Sequence, residues 1–275
     1  MLRKLMKYEF RATGRIMLPL FLLALLLAAG VRIGGLWQGG EETVWVITGW
    51  DPVGILLGVM GIGFILSLAA VFVVALVLMV LRFRSNLLSD EGYVMFTLPA
   101  TVHKLLWAKL WTSVIWFLLA GAVDAAALLI ASAEGGLLQE LFQALQAIGQ
   151  EITLDYTVYG ILLIVELAIL AVLFCLSQCL RFYAPMAIGY SFTRHKTLLS
   201  VLFFFLIEGL VQAGAMTLLA VGDAFLQDIQ ALLSALSPEM TVHGAMGMAI
   251  LGVLVYDIVL YCLTAGMLHR RLNLE

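Results

Sequence analysis

The stretch RFRSNLLSDEGYVMFTLPATVHKLLWAK, residues 82–109, separates two long hydrophobic blocks and decides how the chain is organised. Its charges, Gly92 and Pro99 are incompatible with continuous burial in lipid, yet it holds too many apolar residues for a solvated loop. We therefore expect a short helix at about 85–98 that lies at the membrane surface and docks on a partner, with Pro99 ending it. An ordinary connecting loop that happens to carry two acids is the alternative.

The composition excludes a soluble globular protein. Of 275 residues, 63% are hydrophobic and 12% are charged, and the mean hydropathy is +1.08. A helix needs roughly 20 apolar residues to cross a hydrocarbon core about 30 Å thick. The chain is predicted to be an all-α integral membrane protein, one transmembrane domain over residues 1–275, with spans at about 16–36, 52–81, 105–133, 156–180, 197–221 and 244–268.

Two further segments have amphipathic patterns. Residues 1–15 predict an interfacial helix whose apolar side chains lie near one face and whose basic side chains stripe another. A cleaved signal peptide is the competing interpretation, but the apolar run that follows is long enough to span and more spans come after it. Apolar residues at helical spacing predict a second amphipathic helix, on the outer surface, at about 136–150. The basic residues proposed as interfacial anchors in the first helix are Lys4, Lys7, Arg11 and Arg15.

The basic residues are segregated along the chain. All but one of the 15 Lys and Arg residues lie in segments 1–15, 82–109, 181–196 and 269–275, and Arg32 is the exception. Concentration of Lys and Arg in short loops predicts the cytoplasmic side of a membrane protein. Both termini and the stretch 82–109 are therefore predicted to be cytoplasmic.

Several short elements in this stretch follow one another in a definite order. They are Glu91-Gly92, then the run from Phe96 through Leu98-Pro99 to Ala100, then Lys104, and finally Ala108-Lys109-Leu110. This order resembles the coupling-helix segment of type-2 ATP-binding cassette (ABC) exporter permeases. The beginning, MLRKLMKYEFRATGRIMLPL, similarly resembles the amphipathic connecting helix of that family, particularly in Gram-positive (Firmicutes-like) bacteria with a separately encoded ATPase. The specific motifs cover only about residues 1–20 and 82–110.

The resemblance implies roles for individual residues. Glu91 would contact the ATPase, and Gly92 would allow close backbone approach. Tyr93, Met95 and Phe96 would form an apolar knob that fills a groove in the ATPase. Lys109 would anchor the start of the third span at the lipid headgroups. The residues that the resemblance assigns to ATPase coupling are Asp90, Glu91, Gly92, Tyr93, Met95, Phe96, Leu98 and Pro99.

The resemblance also implies the partners. Two ATPase subunits would bind ATP and Mg, and a second permease copy or a sister permease would complete a pore in the bacterial cell membrane. The sequence contains no G-x-x-x-x-G-K-[ST], the usual P-loop for nucleotide phosphates. We therefore expect a transport subunit that is not itself an enzyme, with hydrolysis on a separate chain and no cofactor or nucleic acid bound by this one.

Four acidic residues lie inside the predicted spans, where ionisable groups are costly and are functional candidates. By sequence, no Lys or Arg lies at similar depth. The acids could be protonated partners in interhelical hydrogen bonds, could face a wet translocation path, or could couple transport to protons. If they line a path, a cationic or amphiphilic cargo fits, such as an antimicrobial peptide, an antibiotic or a lipid. The four acids are Asp124, Glu166, Glu208 and Asp257.

Two other functions are compatible with a six-span chain. The buried acids suit a proton-coupled secondary transporter, and an intramembrane enzyme is the second alternative. The sequence holds no G-x-S-x-G, H-E-x-x-H or E-E-x-x-x-R element that would favour the enzyme. Its four histidines share no ligand spacing and its three cysteines fall inside apolar runs, so no metal site is expected.

Overall fold

The computed structural model describes residues 2–37, 52–89, 91–97, 100–132, 143, 157–233 and 238–270. Within these ranges the chain forms seven α-helices in the order α1 Leu2–Trp37, α2 Pro52–Leu88, α3 Glu91–Thr97, α4 Val102–Ala131, α5 Thr157–Gly189, α6 Lys196–Leu233 and α7 Pro238–Arg270.

Six of these helices are long and apolar enough to cross a membrane, and only α3 is too short. The long helices also expose many large apolar side chains, which is the arrangement expected where the solvent is lipid. The predicted fold class is confirmed. The protein is an all-α integral membrane protein with six spans.

The first helix differs from the prediction. Residues 1–15 and the first span form one continuous helix of 36 residues rather than an interfacial helix followed by a span. Pro19 lies inside α1 without ending it. The periodicity of residues 1–15 was consistent with a helix, but it could not show whether the helix stops at Arg15.

The predicted short helix at 85–98 is shorter and begins later. α2 continues to Leu88, and α3 begins at Glu91. Between them the Ser89 side chain donates a hydrogen bond to the Ser85 carbonyl, and the Gly92 amide donates to the Ser89 carbonyl at 2.7 Å. The bond from the Ser89 hydroxyl to a carbonyl four residues back weakens or bends a helix, and α2 ends one residue before Ser89.

Three other helix ends lie beyond their predicted positions. α5 extends to Gly189 although it contains Pro185, and α6 extends to Leu233 through residues predicted to form a loop. α7 begins at Pro238, a residue favoured at the first helical position because its missing N–H would have no helical partner there. The predicted outer helix at 136–150 lies outside the described residues except for Gln143.

The chain divides into two compact units, and α2 and α4 contribute to both. The first comprises residues 1–79 and 111–157. Its core joins α1, α2 and α4 through buried side chains and small residues that let the helices approach. The central members are Ala28, Val31, Phe64 and Ala127.

The second unit comprises residues 80–110 and 158–275. In it the end of α2 packs on α5 through a stack of Phe83 on Tyr183, with ring centroids 3.9 Å apart and both side chains fully buried. α5 and α6 meet at their adjoining ends, where a Cβ on Gly189 would collide with Ser200. This hairpin requires glycine at position 189 because part of the collision is with backbone atoms.

Candidate functional site

α3 has one buried face, which packs on the rest of its unit, and one exposed face. Gly92 is buried, whereas Glu91, Val94 and Thr97 are exposed. These three residues recur at intervals of three and therefore share a face of the helix. The Ser85 hydroxyl donates to the Glu91 carboxylate at 3.3 Å, which ties the exposed acid back to the last turn of α2.

The outward apolar residues of α3 are not quite those expected. Tyr93 is 51% exposed and Val94 is 67% exposed, whereas Met95 and Phe96 are half-buried. Val94 was missed by the sequence analysis, although its position three residues after Glu91 would have placed it on the outer face. The surface knob of α3 therefore consists of Tyr93 and Val94. Asp90, Leu98 and Pro99, which were also assigned to coupling, lie outside the described residues.

Lys109 is the residue that the resemblance makes an anchor of the third span at the lipid headgroups. It is only 4% exposed, and its Nζ donates to the Arg82 carbonyl at 3.3 Å. Its observed contact joins the beginning of α4 to the end of α2. This hydrogen bond therefore holds the end of α2 and the beginning of α4, the helices on either side of α3, together.

The basic face of the first helix is exposed as predicted, since Lys4, Lys7, Arg11 and Arg15 all face outward. The opposite face packs on α4. Phe10 stacks on Trp116 with ring centroids 4.4 Å apart, and the Trp116 Nε1–H donates to the Thr13 hydroxyl at 2.7 Å.

The Thr13 hydroxyl in turn donates to the Glu9 carbonyl at 2.9 Å, so its one proton and an acceptor site are both used. Trp116 is 1% exposed. The first turns of α1 are therefore fixed to α4 by a satisfied buried hydrogen bond and by aromatic stacking.

Glu208 has a basic partner, which corrects the expectation that no cation lies at the depth of the acids. Arg181 on α5 donates from Nε and from Nη2 to the two carboxylate oxygens of Glu208 on α6. Such a bidentate pair fixes geometry as well as charge. The sequence placed Arg181 just after the fourth span, but α5 continues beyond it to Gly189, so Arg181 belongs to the helix and can meet Glu208 on α6.

Glu166 also has a partner that the sequence did not reveal. Its Oε2 lies 2.8 Å from Nδ1 of His243 on α7, and the two side chains are 15% and 17% exposed. α7 begins at Pro238 rather than at residue 244, so His243 belongs to the helix and can meet α5. The contact between this carboxylate and this imidazole is a polar link between α5 and α7.

Asp257 meets Ser177 in a hydrogen-bonded chain. The Ser177 Oγ lies 2.7 Å from Asp257 Oδ1 and 3.0 Å from the Leu173 carbonyl. A hydroxyl has one proton to donate, so it serves one of these acceptors at a time. When the Ser177 hydroxyl donates to the Leu173 carbonyl, the Asp257 carboxyl group must be protonated to donate to Ser177 Oγ. When the hydroxyl donates to Asp257, the carboxyl group accepts and carries no proton there. The contact therefore suits either protonation state without movement of the side chains.

The remaining acid is separate from these three. Asp124 is 8% exposed and belongs to the first unit, whereas the other acids belong to the second. Asp124 Oδ1 and Asp257 Oδ2 are buried oxygens without a hydrogen-bond partner in the described ranges. A buried polar atom left unsatisfied costs about 1–3 kcal/mol, which makes both positions candidates for binding a proton or another group.

Across the residues that the structure describes, no cluster of three or more His, Cys, Asp or Glu side chains could hold a metal ion. The structure thus brings the acids of the second unit into three separate contacts along α5: Glu166 with His243, Ser177 with Asp257 and Arg181 with Glu208. From Glu166 to Ser177 the rise along α5 is about 16 Å.

No protein-family model, no curated protein and no solved structure matches this chain. The geometry of its own residues carries the functional argument.

Proposed function

We propose that this chain is the membrane-spanning permease subunit of an ABC exporter, driven by ATP that two partner ATPase subunits hydrolyse. The observation that carries the proposal is α3. It is a short helix between two spans, and it exposes Tyr93 and Val94. α3 is too short to span the membrane, so the apolar side chains that it exposes are available to contact another protein.

The anchoring of α3 suits a helix that receives a push. Glu91 is tied to Ser85 at the end of α2, and Lys109 ties α4 to Arg82. A displacement of α3 would therefore move the ends of two spans. Coupling requires that the ATPase contact α3 differently in its two states, since equal contacts in both would shift no equilibrium.

The cargo that we propose is a cationic or amphiphilic molecule, namely a peptide, an antibiotic or a lipid. Glu208 is balanced by Arg181, but Asp124 and Asp257 have no basic partner among the described residues. A translocation path lined by either acid would favour a positive cargo. We place the complex in a bacterial cell membrane with both chain termini in the cytoplasm, on the strength of the basic loops, and we expect two permease copies or a permease and a sister.

The test is whether an ATPase associates through α3. The chain is purified from its native membrane into nanodiscs, and co-purifying ATPase and cargo-stimulated hydrolysis are measured for wild type, Tyr93→Ser and Val94→Ser. We expect each variant to weaken association about tenfold or more, which corresponds to about 1.4 kcal/mol. Leu198→Ser, which changes an equally exposed apolar residue on α6, is the matched control and should associate normally. Absence of any ATPase, or equal loss in the control, contradicts the proposal.

A proton-coupled secondary transporter is the second candidate, favoured by the contact between Glu166 and His243. Acidic and histidine side chains that meet between membrane helices are the groups from which proton relays are built. The two functions separate in inverted membrane vesicles. Collapse of the proton gradient stops a proton-driven carrier even when ATP is present, and such a carrier should tolerate the change Val94→Ser on α3.

A further inference from the structure

A cavity of about 360 Å³ lies in the second unit between the end of α2, the end of α5 and the beginning of α6. Its volume falls within the range of about 300–1,000 Å³ usual for small-molecule sites. The lipid-facing flank of a helical bundle usually offers only a shallow surface, so a concave site of this size can hold part of a ligand rather than merely touch it.

The lining of the cavity changes from polar to apolar along the helices. Arg84 on α2 and Thr197 on α6 line the end nearest the connecting loops, and Phe204 and Phe205 line the end nearer the middle of the spans. Thr197 and Phe205 are eight residues apart on α6, which is about 12 Å. The site therefore has a polar end and an apolar end, as an amphiphile has.

The apolar end is built from aromatic rings and opens toward lipid. Phe182 stacks on Phe204 with centroids 5.1 Å apart, and Phe204 meets Phe205 edge-on at 5.5 Å. At the margin, Leu81, Val201 and Phe205 are 51%, 53% and 67% exposed. A hydrocarbon chain could enter from the bilayer without leaving an apolar environment.

The polar end carries a positive charge available for a ligand. Arg84 is exposed, and its guanidinium makes no hydrogen bond or ion pair with any side chain in the part of the chain that the structure describes. A guanidinium binds phosphate with two parallel hydrogen bonds. Basic pockets between membrane helices at a basic, cytoplasm-type face are sites for anionic lipid headgroups.

We propose that this cavity binds one anionic phospholipid, with the headgroup phosphate at Arg84 and Thr197 and part of one acyl chain against Phe182, Phe204 and Phe205. The bound lipid bridges α2, α5 and α6, because residues of all three helices line the cavity. It would therefore fix the end of α2, which leads directly into α3. The proposal rests on the cavity alone and holds whether ATP or protons drive the protein.

The test uses native mass spectrometry of the full chain, delipidated and then supplied with dioleoyl phosphatidylglycerol, dioleoyl phosphatidylcholine or dioleoylglycerol. For wild type we expect one retained phosphatidylglycerol per chain, held at least tenfold more tightly than phosphatidylcholine. Arg84→Gln should remove that preference, and Arg84→Lys should keep part of it. Val201→Trp, which fills the margin of the cavity, should reduce retention of all three lipids.

Two matched controls make the outcome decisive. Arg194→Gln removes an exposed cation from the adjoining loop, and Val211→Trp adds the same bulk to an exposed position ten residues further along α6. Neither should change lipid retention. If Arg84→Gln keeps the preference, or if the controls lose as much as the test variants, the retained lipid is annular and the proposal is wrong. Displacement of the lipid by millimolar inorganic phosphate alone would likewise overturn it, because a free anion would then be the ligand.

Discussion

The ion pair between Arg181 and Glu208 should contribute unequally when either partner is removed. The Glu208 side chain is 12% exposed, whereas that of Arg181 is 36% exposed. Arg181→Gln leaves a nearly buried carboxylate without its bidentate partner, and stranding a buried charge costs about 3–5 kcal/mol. Glu208→Gln leaves a guanidinium whose side chain is three times as exposed as that of Glu208, so its cost should be smaller than that of Arg181→Gln.

The double variant Arg181→Gln/Glu208→Gln completes the cycle. It removes both charges and leaves two amides that can bond with each other, so its cost should be well below the sum of the single variants. The measurement is equilibrium unfolding in mixed micelles titrated with dodecyl sulfate, followed by tryptophan fluorescence. Double-mutant coupling beyond about 0.5 kcal/mol indicates real interaction between the sites. Equal losses for both single variants, or simple additivity, would refute the reasoning from burial.

Two other predictions concern packing. Thr13→Val should lower stability by about 1–3 kcal/mol because it leaves the buried Trp116 N–H without an acceptor. Trp116→Phe removes the donor itself and leaves the Thr13 hydroxyl bonded to the Glu9 carbonyl. Thermal unfolding of both variants, compared with Thr13→Ser, separates the loss of the hydrogen bond from the loss of ring volume. Gly189→Ala should destabilise the α5–α6 hairpin because the new methyl group collides with Ser200. Gly209→Ala, at an open helical position, should be neutral or stabilising by about 0.5–1 kcal/mol. Loss of monodisperse protein in Gly209→Ala and not in Gly189→Ala would contradict this.

The spans could be predicted from the sequence because each requires only a run of apolar residues, and no tertiary contact is needed to recognise one. Helix ends were less predictable. α6 runs on to Leu233 through residues that read as a loop, and Pro185 lies inside α5. In a bundle, neighbouring helices can satisfy backbone groups that a proline frees, so local signals lose their force.

The partners of the acids could not be predicted for a geometric reason. Arg181 precedes Glu208 by 27 residues and His243 follows Glu166 by 77, so both pairs depend on which faces of different helices meet. Periodicity gives the face of an amphipathic helix, but spans that are apolar all round offer little to orient them. In α3, by contrast, the spacing of Glu91 and Val94 held enough information to identify the outer face.

The unbroken first helix gives the protein a lever. With 36 residues α1 is about 54 Å long, some 24 Å more than the bilayer core is thick, and its basic beginning and its span form one continuous helix. A tilt of about 10° within the membrane would displace the N-terminal end of α1, which projects about 24 Å beyond the bilayer core, by about 4 Å. Because Phe10 and Thr13 are fixed to Trp116, that swing would drag α4 with it. A spin label near residue 4 would then report changes in the tilt of α1 that cause only small displacements inside the bilayer.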